Sequence, residues 1–187
     1  MKKIFISSIL MVFNCIVITA QTKSMKTITE NKQRPNHQKE NALGHDIFKA
    51  LKENNSNQWI LLYPTNDEYK SLLELLLTTK SDGLTQQKID EMIEQRKLEA
   101  VAVYSAEYHD YLKQADSLGI KWKDVVFEKF DFEATHPQNL QLKYLNGDIW
   151  FKCKQHHFVL EGIEAVEIKQ GYRLQAVKGI RQVDDGE

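Results

Sequence analysis

Apolar residues recur every three or four positions up to Gly119 and every second position after it, and this switch of period divides the fold before any tertiary contact is considered. From Thr85 onward, Ile89, Met92, Ile93, Ala100, Val101, Tyr104, Tyr108, Tyr111, Leu112 and Ala115 lie at helical spacing without a Pro or Gly among them. That pattern predicts one long helix, or two nearly collinear ones broken near Arg96 and Lys97, where stripe positions are charged. Glu91, Glu94 and Glu99 beside Lys88, Arg96 and Lys97 read as a solvated face. Upstream, Leu43, Ile47, Phe48 and Leu51 predict a short amphipathic helix that the Asn-rich cluster at 54–57 ends. Trp59 to Tyr63 form a short apolar run. Thr65 and Glu68 have capping-box spacing and open a helix carrying Tyr69, Leu72, Leu73, Leu76 and Leu77, with Ser81-Asp82-Gly83 as its stop and Thr85 as the next cap.

Beyond Gly119, Val126, Phe130 and Phe132 alternate with Phe127, Lys129 and Asp131, which predicts a strand ended by His136-Pro137. Asn146-Gly147 is the dipeptide favoured in two-residue type I′ turns. It predicts a hairpin in which Tyr144 faces Ile149, Leu142 faces Phe151 and Leu140 faces Cys153, all on one apolar side. Gln141, Lys143, Lys152, Lys154 and Trp150 then fall on the other side. A second hairpin is expected around Lys169-Gln170-Gly171, joining Val166 and Ile168 to Tyr172, Leu174 and Ala176. The class is α+β: N-terminal helices, one of them long, packed on a C-terminal antiparallel sheet of about four or five strands.

The N-terminus reads as an address. Lys2 and Lys3 precede an apolar run, and Val17, Ile18, Thr19 and Ala20 offer a small-residue exit, so residues 1–20 are expected to be a cleaved export signal. Residues 21–41, nearly devoid of large apolar side chains, are expected to be a flexible polar leader. Residues 42–183 form one α+β domain and 184–187 a frayed tail. Cleavage leaves 167 of the 187 residues, enough for one core, and losing two lysines moves the formal charge from −1 to −3. So balanced a charge leaves no footprint for nucleic acid, and no stable membrane insertion is expected once the signal is gone. Lipid anchoring through Cys15 is the alternative, although Val12, Phe13 and Asn14 are a poor context for it. Without Cys15, Cys153 stands alone and no internal disulfide can form.

Few residues suggest chemistry. His156 and His157, being adjacent on a strand, point to opposite faces and do not share a metal easily. Cys153 falls among apolar residues and reads as core filler. Glu128 falls by parity beside Val126 and Phe130, where burial would raise its pKa and suit it to proton transfer, unless a bulge turns it outward. Trp150, on the lysine-bearing face, is a candidate contact for a ligand or partner, or else packs on lysine stems. With no phosphate loop, paired-cysteine motif or nucleophile triad, no metal and no cofactor are expected.

Gln170-Gly171-Tyr172-Arg173-Leu174, a turn leading into an aromatic strand, together with helices followed by a meander over residues 43–183, resembles the small NTF2-like domains of the cystatin-like superfamily. The resemblance implies a curved sheet wrapped around a long helix with a cone-shaped pocket. It names isomerases, dehydratases and binding modules alike, and it carries over no catalytic Tyr and Asp set. The signal, leader and Lys/Asn/Ile-rich composition also resemble small exported proteins of Bacteroidetes-type bacteria. The expected function is an exported, non-enzymatic domain that binds a small apolar molecule or a protein partner through the concave side of its sheet. A small pocket enzyme of isomerase or hydrolase type with a buried carboxylate, and an envelope-associated structural protein, are the alternatives.

Overall fold

Among the described residues four α-helices lead and an antiparallel sheet of five strands follows. The computed structural model describes residues 40–78, 83–136, 142–169 and 171–183, all within the compact unit Arg34–Glu187. The expected export signal with Cys15, the leader up to residue 39, Ser81-Asp82, Pro137, Leu140, Gln141, Gln170 and the tail 184–187 lie outside them. Among the described residues no helix is long and apolar enough to cross a membrane.

Helix α1, Glu40–Lys52, starts two residues before the expected boundary. Asn54, at φ 52°, turns the chain, and the Asn55 side chain accepts from the Gln58 N–H to cap α2, Ser56–Ile60. The apolar run at Trp59 is therefore helical. Helix α3, Asn66–Thr78, opens on the capping box read from the sequence: Thr65 Oγ1 accepts from the Glu68 N–H at 3.0 Å, and the Thr65 N–H donates to Glu68 Oε2 at 2.7 Å. Helix α4, Gln86–Ser117, is capped by Thr85 and runs through 32 residues unbroken. Of the two readings, the single long helix holds and the break near Arg96 and Lys97 is absent, because Arg96 belongs to the buried stripe itself, with Ile89, Ile93, Tyr108, Tyr111 and Ala115.

The strands are β1 Val125–Thr135, β2 Tyr144–Cys153, β3 His156–Ile168, β4 Gly171–Ala176 and β5 Gly179–Val183. The sheet runs β1-β2-β3-β4, and β5 pairs with the first half of β3 while β4 pairs with the second. The hairpin expected at Lys169-Gln170-Gly171 is present, with Ile168 opposite Gly171.

The hairpin expected at Asn146-Gly147 is not. Both residues lie inside β2, where Leu145, Ile149, Phe151 and Cys153 are all buried on one side in unbroken alternation. The turn comes later, at Lys154-Gln155, with Lys154 at φ 58° and Cys153 opposite His156. Gly147 is needed for a close approach rather than for a turn. A Cβ there would sit 2.5 Å from the Asp131 carbonyl oxygen and 2.9 Å from the Phe130 ring. The Phe130 ring also lies against Gly44 of α1, where a Cβ would meet it at 2.5 Å. One aromatic ring thus fills a slot between a helix glycine and a strand glycine.

Three register shifts interrupt the ladders, and those in the β1–β2 and β2–β3 pairs matter for the site. Phe127 pairs with Phe151 and Lys129 with Trp150, so Glu128 is an extra residue in β1. Val125, Phe127, Phe130 and Phe132 consequently face the helices, and Val126, expected on that side, is 61% exposed. In the β2–β3 ladder Asp148 stands opposite Glu161 and Gly162, and its carboxylate accepts from the Gly162 N–H at 2.8 Å. Gly162 takes φ 64°, the conformation for which glycine is favoured at such a bulge.

The main core lies between the sheet and helices α1, α2 and α4. Phe48 meets Phe127 and Phe151 edge-on or tilted, and Trp59 contacts Tyr63, Tyr108 and Tyr111. Helix α3 contributes two smaller clusters, Leu72 with Leu142 and Val166, and Leu73 with Ile89 and Ile93. The tyrosines of α4 each reach a different element. Tyr108 bonds Asn54, and Tyr111 donates to the Val177 carbonyl at 2.8 Å, as buried hydroxyls require.

Candidate functional site

The two residues singled out by sequence, Glu128 and Trp150, lie on the side of the sheet turned away from α1. The bulge places Glu128 in solvent, where its carboxylate lies 3.1 Å from Nδ1 of His157 across β2. Both side chains are about one-third exposed, so the pair has little energetic weight. Trp150 is half-buried, and the ammonium of Lys129 lies 5.0 Å from its ring centroid while pairing with Asp131 at 2.9 Å. Cys153 is buried on the other side, its Sγ 3.9 Å from the Lys121 carbonyl oxygen. No group of three His, Cys, Asp or Glu side chains able to hold a metal occurs among the described residues.

Trp150 borders an open groove of about 440 Å³ whose lining includes the carboxylates of Asp131, Glu133, Asp148 and Glu164 against the single amine of Lys178. Its floor is backbone at Gly147 and Gly162. The stem of Lys178 lies over Gly162, where a Cβ would meet it at 2.5 Å. Asp131 and Asp148 are engaged, by Lys129 and the Gly162 N–H; Glu133 and Glu164 have no ion-pair partner among the described residues. The groove therefore offers an aromatic face and uncompensated negative charge side by side.

A second constellation escaped the sequence reading. Arg96 is only 7% exposed. Its guanidinium lies 4.5 Å from the Tyr69 ring and 5.3 Å from the Tyr104 ring, donates to the Pro64 carbonyl at 2.6 Å, and bonds the Tyr104 hydroxyl. Tyr104 stacks on Tyr63 at 3.7 Å, and the Tyr63 hydroxyl donates to Glu107 at 2.8 Å. Burial pushes the Glu107 carboxyl above its usual range, against the opposing effect of the Tyr63 hydrogen bond. Burial, and then the neighbouring Glu107, push the Tyr63 hydroxyl well up. Glu107, on the long helix, is thus a carboxylate perturbed by burial. The legible signal was position: Arg96 stands three residues after Ile93 and four before Ala100, on the apolar stripe.

The raised pKa of Glu107 has a definite sign in stability. Between the ordinary carboxylate range and the raised folded value, the folded state holds more protons than the unfolded one, so this group's contribution is present at acid pH and lost as pH rises. Glu107→Gln, which keeps an acceptor for Tyr63, is expected to be more stable than wild type at pH 7. That advantage should shrink as pH falls toward 4, as read by urea denaturation across that range.

Similarity adds nothing to this geometry. The chain matches no protein-family model, no curated protein and no solved structure.

Proposed function

We propose that this is an exported binding domain of the NTF2-like kind that engages a Lys- or Arg-bearing segment of a protein partner in the groove beside Trp150. The helix-facing side of the sheet is filled by Phe48, Trp59, Phe151 and their neighbours, which leaves the opposite face for binding. The observation that carries the reading is Lys129. An intramolecular ammonium already rests on the Trp150 ring and pairs with Asp131, which is the chemistry a partner's cation would use. Glu133 and Glu164 supply the complementary charge. Export fits a partner met outside the cytoplasm.

Titration with a Lys/Arg-rich peptide, followed by calorimetry, tests this. Trp150→Ala is expected to weaken binding about two- to fivefold, the order of a solvent-exposed cation–π contact. Lys129→Ala, by removing the competing internal cation, is expected to tighten it several-fold. Equal affinities for the wild type and both variants would refute the reading.

A further inference from the structure

The geometry points to a second binding site, independent of the groove, in which Arg96 receives a small carboxylate. A guanidinium taken out of water is costly unless a counter-charge and hydrogen bonds replace its hydration. Arg96 has the burial without the counter-charge. Its hydrogen bonds go to a peptide carbonyl and a phenol, both neutral, and no carboxylate pairs with it among the described residues. Its Nε–H is buried and bonds nothing among those residues. The nearby Glu107 carboxylate is engaged by Tyr63 instead.

The surroundings define the ligand. Tyr69 and Tyr104 lie against the guanidinium, and the Pro64 carbonyl and the Tyr104 hydroxyl each take one N–H of a different terminal nitrogen, which leaves the Nε–H and a neighbouring terminal N–H as a two-donor edge. Both tyrosines that flank it are half-buried rather than sealed in the core. A planar carboxylate accepting from the Nε edge is the anion whose geometry matches a guanidinium. A bulky anion would have to displace a tyrosine. The residues that hold Arg96 come from α3, α4 and the segment before α3, so occupancy would tie these elements together.

Acetate titrated into the wild-type protein at constant ionic strength, with chloride and phosphate as parallel arms, tests the site. The readout is the Arg96 Nε–H resonance, assigned by its loss in Arg96→Lys. The proposal expects a saturable shift with acetate, little with chloride, and a rise in melting temperature that Arg96→Met lacks. No saturable shift, or an equal one in all three arms, would overturn it, and this holds even should Arg96→Met fail to fold.

Discussion

Replacing Glu68 by alanine is expected to cost about 3–5 kcal/mol, the range for removing one partner of a buried ion pair. Arg173, on β4, is 0% exposed, and its Nη2 and Nε lie 3.1 and 3.4 Å from the two carboxylate oxygens of Glu68. The same carboxylate accepts from the Thr65 N–H at 2.7 Å, so one side chain caps α3 and neutralises a charge from the sheet. The alanine variant leaves a guanidinium in the interior without its carboxylate and frees a helix N-terminus at once. Thr65→Ala, which disturbs the cap alone, should cost only about 1 kcal/mol. The double variant Glu68→Gln with Arg173→Met removes the buried charge and keeps an acceptor for the cap. It should recover most of the Glu68→Ala loss, and urea midpoints of the variants separate the two roles.

Phe130→Ala is expected to cost about 3–5 kcal/mol as well, through the slot it empties between α1 and β2. Gly44 makes the argument sharper. A Cβ on Gly44 meets three Phe130 side-chain atoms at 2.5 to 2.8 Å, so Gly44→Ala alone should destabilise by about 1–3 kcal/mol. In the Phe130→Ala background the two ring atoms are gone and only the residue-130 Cβ, at 2.8 Å, still meets the new methyl, while alanine is the better helix former by roughly 1 kcal/mol. The same substitution should then cost clearly less than it does in the wild type. Additive effects in the double-mutant cycle would mean that Phe130 does not occupy the slot.

Local signals in the sequence carried far where one element decides the outcome. The capping box at Thr65 and Glu68, the cap at Thr85, the long stripe of α4 and the hairpin at Gly171 all depend on neighbours within a few residues, and all are present in the structure. Asn146-Gly147 misled because its preference for a turn is real but weak beside the burial of Leu145, Ile149, Phe151 and Cys153 as one face. A glycine that admits a ring from another strand looks, in sequence, the same as one that turns a hairpin. Bulges are equally hidden. The extra residue at Glu128 follows from β2 register, so parity counted along β1 alone misplaces Val126. Arg96 was legible as a charge on an apolar stripe, but its burial is set by Pro64, Tyr69 and Tyr104, which only the fold assembles. Trp150 could be singled out from the strand pattern; the acidic groove beside it required Asp131, Glu133 and Glu164 from two further strands.

The most direct test of the binding account uses the three tryptophan indole N–H resonances of the wild-type protein. The indole nitrogens of Trp59 and Trp122 are buried and make no hydrogen bond among the described residues, so they serve as internal references for Trp150. On titration with a Lys/Arg-rich peptide, the Trp150 resonance should move saturably and move less at high salt, while the Trp59 and Trp122 resonances stay in place. A Trp150 resonance that does not move while the peptide binds elsewhere, or three resonances that drift together without saturation, would contradict the account.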